Sequence, residues 1–161
     1  MTVDVSDDGA RRTAHVQSVL DSLKERSFIY GTILSTVQLT SVTKGTAITR
    51  LTLDEKHVNS KGGLHGAVSA TIVDFTTGLA IASWDLRETT GASVDMHLTY
   101  VGTAGKGDLV EITSVAEKVG GNMAFVTVKI EKLVSETERK PVTLAQHTKF
   151  VRGTAPAATT S

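Results

Sequence analysis

From Asn59 to Trp84 the chain reads Asn-Ser-Lys-Gly-Gly-Leu-His-Gly-Ala-Val-Ser-Ala-Thr-Ile-Val-Asp-Phe-Thr-Thr-Gly-Leu-Ala-Ile-Ala-Ser-Trp. A Gly-rich loop passes through His65 and Gly66 into a segment that is apolar nearly all the way round. Val68, Ile72, Phe75 and Leu79 fall at i, i+4, i+7 and i+11, which predicts a helix over 66–83. Ala67, Ala70 and Ala80 keep its other faces thin, so neighbours can approach closely. A helix without a polar face must be wrapped on most sides, which makes it the centre of the fold. The only charge inside it is Asp74, and a carboxylate at that depth is costly unless it is paired or used.

The flanking sequence supplies the wrapping. Val16, Leu20 and Leu23 have helical spacing and predict an amphipathic helix over 10–26. Phe28–Leu39, rich in Ile, Val, Thr and Tyr, reads as a strand, Ser41–Gly45 as a turn and Thr46–Leu53 as a second strand with Ala47, Leu51 and Leu53 on one face. After the central helix come four strand-like runs: Ser93–Val101, Leu109–Val119, Met123–Lys132 and Val142–Val151. Gly120-Gly121-Asn122 marks a hairpin, and the charged run from Ser135 to Lys140 reads as a solvated one. Consecutive strands with short connections pair antiparallel. The expected architecture is α+β: one curved antiparallel sheet of about six strands round a long central helix, with a short N-terminal helix outside. One domain over 10–151 is expected, with a flexible segment at 1–9 and a disordered Ala- and Thr-rich tail at 152–161.

Composition narrows the function. Lys plus Arg and Asp plus Glu balance at 17 each, so no basic excess draws in nucleic acid or an anionic membrane. Cysteine is absent, which removes disulfides, thiolate catalysis and Cys-based zinc sites. The histidines show no metal-ligand spacing: His57, His97 and His147 read as structural or exposed, and His15 as a surface residue. The first residues carry Asp4, Asp7 and Asp8 without an apolar core, unlike a secretory or transit peptide, and the expected location is the cytoplasm, with the mitochondrion as the alternative.

With this element order, Asn59, Gly62, Leu64-His65-Gly66, Ala70-Thr71 and Val73-Asp74 resemble the hotdog-fold acyl-CoA thioesterases of the phenylacetate-pathway type. The blocks Ser93-Val-Asp-Met-His-Leu-Thr-Tyr100, Phe125 and Gln146-His147-Thr148-Lys149 extend the likeness across roughly 31–151. The resemblance implies hydrolysis of a fatty acyl-CoA thioester without a cofactor, at sites between the subunits of a homodimer that pairs back to back into a tetramer. It implies that Asp74 activates water or attacks directly, that Ser93 orients the water or the carboxylate, and that Asn59 and Gly66 hold the thioester carbonyl beside His65. The CoA channel is implied near Tyr100–Lys106 and Lys118–Met123, the latter including Gly120, Gly121 and Asn122. Lys106, Lys118 and Lys149 are the cationic candidates for its phosphates. The turn after Tyr100 departs from the pattern: a proline is expected near Thr103, and the basic residue stands at Lys106 rather than one position earlier.

The residues themselves suit that chemistry. Gly66 lies at a predicted helix N-terminus, where free N–H groups and the dipole favour developing negative charge. Asp74 follows His65 by nine residues, which rotates it by about 180° and displaces it by about 13 Å along a straight helix. If both act on one substrate, the loop of one subunit must meet the helix of another. The simpler readings are a tight strand-to-helix loop for Gly62, Gly63 and Gly66, a carboxylate at a wet seam or bonded to hydroxyls for Asp74, and a loop-orienting role for His65. Strict alternation places Ser93 on the face opposite Val94 and Met96, so reaching Asp74 requires an irregular strand start after Gly91. A tunnel lined by Phe75, Leu79 and Ile81 would take a medium or long acyl chain. The alternatives are a non-catalytic acyl-CoA-binding protein and a hydratase. A hydratase would pair an acid-base His with a nearby Asp in one loop, which the His65–Asp74 spacing does not suit.

Overall fold

The computed structural model of the chain describes residues 5–157, in the order α1 (Val5–Arg26), α2 (Phe28–Ile33), β1 (Gln38–Thr43), β2 (Thr46–Thr52), a 3₁₀ turn (Glu55–His57), α3 (Gly66–Asp85), β3 (Ala92–Tyr100), β4 (Leu109–Val119), β5 (Met123–Leu133) and β6 (Arg139–Phe150). The six strands form one antiparallel sheet in the order β1-β2-β4-β5-β6-β3. Its inner face, carrying Ala47, Leu51, Val110, Ile112, Ala124, Val126, Val128 and Ile130, packs on α3. α3 has the length and apolarity to cross a membrane, yet Ile72, Val73, Phe75, Leu79, Ala80, Ile81 and Ala82 are buried inside the sheet and under α1. Burial of its apolar surface is what holds the curled sheet in place.

The expected helix-in-sheet architecture is present, with corrections at its edges. α1 begins at Val5, so residues 5–9 of the segment expected to be flexible are helical, while 1–4 lie outside the described residues. Phe28–Leu39 is not one strand. Ser27 caps a short helix by accepting from the Tyr30 N–H, and the Ser27 N–H bonds Leu23 O at 3.1 Å, which folds α2 back on the end of α1. Gly31 allows that approach, since a Cβ there would meet the Lys24 carbonyl at 2.6 Å. Local packing thus overrides the β-branched composition of α2. Ser41–Thr43 belong to β1, and the turn is Lys44-Gly45 with Gly45 at φ 78°. β6 starts at Arg139, inside the run expected as a loop. The tail is ordered as far as Thr154, whose Oγ1 donates to Val151 O and receives Arg87 Nη1, both at 2.8 Å; residues 158–161 lie outside the described residues.

β3 is the edge strand that matters. Among the described residues its only strand partner is β6, and nearly every residue in it is exposed, on both faces. The register shifts between Ser93 and Asp95, so Ser93 pairs with Lys149 while Asp95 pairs with Thr148 and Met96 with His147. This bulge breaks the alternation and turns Ser93 to the inner face. The irregular strand start required by the sequence is therefore observed, just after Gly91.

Candidate active site

α3 places Asp74 close to the middle of the helix, at the side of the sheet where β3 begins. Its carboxylate is the hub of a polar cluster. Tyr30 Oη, carried by α2, donates to Oδ2 at 2.5 Å. Ser93 Oγ donates to Oδ1 at 3.3 Å, and Lys149 Nζ stands 3.7 Å from the same oxygen. His147 Nε2 lies 2.9 Å from Ser93 Oγ and its Nδ1 lies 3.0 Å from Thr77 Oγ1. Proton counting orders this chain. The single hydroxyl proton of Ser93 goes to Asp74, so His147 must donate through Nε2–H and accept through Nδ1 from Thr77. A neutral imidazole satisfies both bonds. Burial, reinforced by the Lys149 charge, pushes His147 below its ordinary value and keeps it neutral. Burial also lowers Lys149, against the pull of Asp74.

The cluster opens on a cleft of about 350 Å³ lined by Ser27, Ile29, Tyr30, Ala70, Thr71, Asp74, Ser93 and Met96. This corrects the expected tunnel wall: Phe75, Leu79 and Ile81 are sealed in the core at 1%, 0% and 0% exposure. Lys149 is also corrected. Alternation along β6 turns it inward beside Asp74 rather than outward to a phosphate. Tyr30, His147 and Thr77 were not among the sequence candidates for the site. For His147 and Lys149 a signal existed, because both fall on the inner face with Ala145; for Tyr30 there was only the Ser27 cap ahead of it.

A second group gathers at the other end of β3. His65 caps α3, its Nδ1 accepting from Ala67 N–H at 3.0 Å, so it holds the helix start. Asn59 Oδ1 accepts from Lys61 N–H at 2.9 Å and Gly63 N–H at 3.2 Å, which shapes the loop and leaves its Nδ2 as the free end of the amide. Gly66 is the first helical residue, so its N–H has no intrahelical acceptor. Tyr100 donates to Gly66 O at 3.2 Å and lies against it, where a Cβ on Gly66 would meet the hydroxyl at 3.2 Å. The stretch from Tyr100 onward follows this loop, with Leu64 N–H bonded to Ala104 O at 2.7 Å and Gly63 bridged to Gly105. Lys106 is exposed and ion-paired with Glu55. Lys118 is exposed beside the Gly120–Asn122 hairpin, whose Met123 pairs with Phe150, the partner of Ala92. The hairpin therefore belongs to the Ser93 end of the sheet.

Asp74 with Ser93, and Asn59 with Gly66, are thus two separate groups in one chain. Ser93 and Tyr100 mark the ends of β3 nearest each group, about 20 Å apart along an extended strand.

Comparison with known proteins identifies the family to which this fold belongs. The family described as the thioesterase superfamily matches residues 61–138. Human acyl-coenzyme A thioesterase 13 is 31% identical over 141 residues, covering 86% of this chain and 98% of that protein. The crystal structure of zebrafish thioesterase superfamily member 2 superposes with a TM-score of 0.74 at 30% identity, covering 84% of this chain and 94% of that one. The PaaI protein of the phenylacetic acid degradation operon of E. coli, at 14% identity, shares the fold with a TM-score of 0.71 over 89% of this chain and 99% of its own. A long apolar helix inside a curled antiparallel sheet, continuous likeness across most of the chain and a carboxylate on that helix beside an open cleft agree on one assignment: the chain belongs to the thioesterase superfamily, as a hotdog-fold thioesterase.

Proposed function

We propose that this chain hydrolyses a medium- or long-chain fatty acyl-CoA to the free acid and CoA, at sites completed by a second copy of itself. The observation that carries the reading is Asp74: a carboxylate on the core helix, hydrogen-bonded to Ser93 and open to an apolar-walled cleft. Asp74 takes a proton from a water that Ser93 helps to orient. The resulting hydroxide attacks the thioester carbonyl. Gly66 N–H and Asn59 Nδ2 of the second subunit hold the oxygen as it gains charge, in the low-dielectric setting where such donors are worth most. The tetrahedral intermediate then expels CoA as its thiolate, which takes up a proton. Water is the only co-substrate, and no cofactor takes part.

The edge strand supports the two-subunit arrangement. β3 exposes its backbone edge and both faces, which leaves it open to pairing with another chain. Val94 on β3 is 54% exposed, and Ile29 of α2, 60% exposed, lines the same cleft as Met96 of β3, which leaves apolar surface along the strand. Two-fold antiparallel pairing of β3 with its copy lays the Ser93 end of one subunit against the Tyr100 end of the other, which joins Asp74 to the neighbour's Gly66 and Asn59. Back-to-back pairing of two such dimers through the outer sheet face, where Phe125, Leu144 and Phe150 are exposed, gives the tetramer. In the same arrangement Lys106 and Lys118, with Tyr100 and the Gly120–Met123 hairpin, border the CoA channel.

The cleft walls, Ile29, Met96 and the small Ala70, suit an aliphatic chain. A thiol-release assay of the purified protein across acyl-CoAs from acetyl to palmitoyl, with phenylacetyl-CoA included, tests the reading. The expected result is turnover that rises with chain length beyond acetyl. Absence of thiol release from every ester would overturn the activity, and a preference for phenylacetyl-CoA would overturn the chain assignment.

A further inference from the structure

We infer that Tyr30 is a positioning residue for hydrolysis, holding one oxygen of Asp74 so that the other stays turned to Ser93 and the cleft; this rests on Asp74 being the group that activates water. The geometry is specific. Tyr30 Oη lies 2.5 Å from Oδ2, at the short end for a hydroxyl donating to a carboxylate. Oδ1 is left to Ser93 at 3.3 Å and Lys149 at 3.7 Å. The ring is itself held, edge-on to Phe75 with centroids 5.1 Å apart and planes at 67°. The backbone behind it is fixed by the Ser27 cap and by the close passage of Gly31 over Lys24 O. Burial, with the Asp74 charge beside it, drives the phenol far above its ordinary value, so Tyr30 remains the donor throughout the working range of an enzyme.

The bond has a competitor. Lys149 Nζ approaches Asp74 from the sheet side, while Tyr30 approaches from the cleft side that α2 walls. Without the phenol, the carboxylate is free to close the present 3.7 Å approach of Oδ1 to the ammonium, which lowers its basicity and draws it away from a water in the cleft. Tyr30 therefore acts through Asp74 rather than on substrate. Removing it should slow the chemical step and leave substrate binding alone.

Tyr30→Phe tests this, because it deletes the hydroxyl and keeps the ring on Phe75. The expected result is a fall in kcat of about tenfold, the loss of one hydrogen bond to a charged group, with KM within about twofold. Added to Asp74→Asn, the same change should have no further effect, since its route is gone. Wild-type or raised kcat in Tyr30→Phe, beside a slow Asp74→Asn, would overturn the inference and leave the reading of Asp74 intact. Full turnover in Asp74→Asn would instead overturn the reading on which it rests. A rise in KM that accounts for the whole loss, or a collapse of the circular dichroism spectrum, would overturn it by assigning the hydroxyl a binding or structural role.

Discussion

Asp74→Asn is expected to lower kcat/KM by roughly a thousandfold, the scale of a lost general base, while the protein stays folded and associated. The substitution is nearly isosteric. Its side-chain oxygen can still accept from Tyr30, which keeps α2 seated, and Ser93 retains its bond to His147. What disappears is the basic oxygen facing the cleft. Lys149, whose side chain is 9% exposed, also loses its counter-charge at 3.7 Å, and leaving that ammonium unpaired should cost about 2 kcal/mol of stability. Steady-state kinetics on an acyl-CoA substrate, with circular dichroism and gel filtration on the same sample, separates the outcomes. Retention of more than about a tenth of the activity would remove Asp74 from the chemistry. Loss of activity together with loss of fold would make it a structural carboxylate.

The second large effect is on stability and comes from Gly91→Ala. Gly91 has φ 78°, and a Cβ there would stand 2.0 Å from the Phe150 carbonyl oxygen of β6. Backbone must move, because the obstacle is not a flexible side chain. The strain and clash together should cost about 3 kcal/mol and lower Tm by about 10 °C in a chain of this size. The displacement falls at the start of β3, two residues before Ser93, so turnover should fall with it. Thermal unfolding checks the prediction, and a Tm within about 2 °C of wild type would show that the β3 entry is looser than drawn.

The sequence legibility of this fold follows the strength of each local signal. α3 was readable because a helix with no polar face has only one place to go. β4 and β5 were readable because apolar residues alternate along most of their core side, Val110, Ile112 and Ala116 on one and Ala124, Val126, Val128 and Ile130 on the other, up to the bulge after Ala116. Ser93 was half readable: its alternation forbade contact with Asp74, and the conflict itself pointed to the bulge that the structure shows between Ser93 and Asp95. α2 was not readable, since Phe-Ile-Tyr-Gly-Thr-Ile has the composition of a strand and becomes helical through the Ser27 cap and contact with α1. Missing α2 hid Tyr30, and with it one bond to the central carboxylate. Lys149 was misplaced for a different reason: a lysine reads as a surface cation, and only its register with His147 and Ala145 shows that it faces inward.

The account stands or falls on whether Asp74 of one subunit serves a carbonyl held by another. Mixing subunits measures this directly. Asp74→Asn removes one half-site, and Asn59→Asp removes the other while keeping the loop-holding oxygen that accepts from Lys61 and Gly63. Each variant alone should be nearly inactive. Co-expressed in equal amounts, they form heterodimers in which one of the two sites carries both native halves, and statistical pairing predicts roughly a quarter of wild-type activity. Activity no greater than the mean of the two parents, with heterodimers present by mass, would contradict the shared site and place catalysis within a single chain.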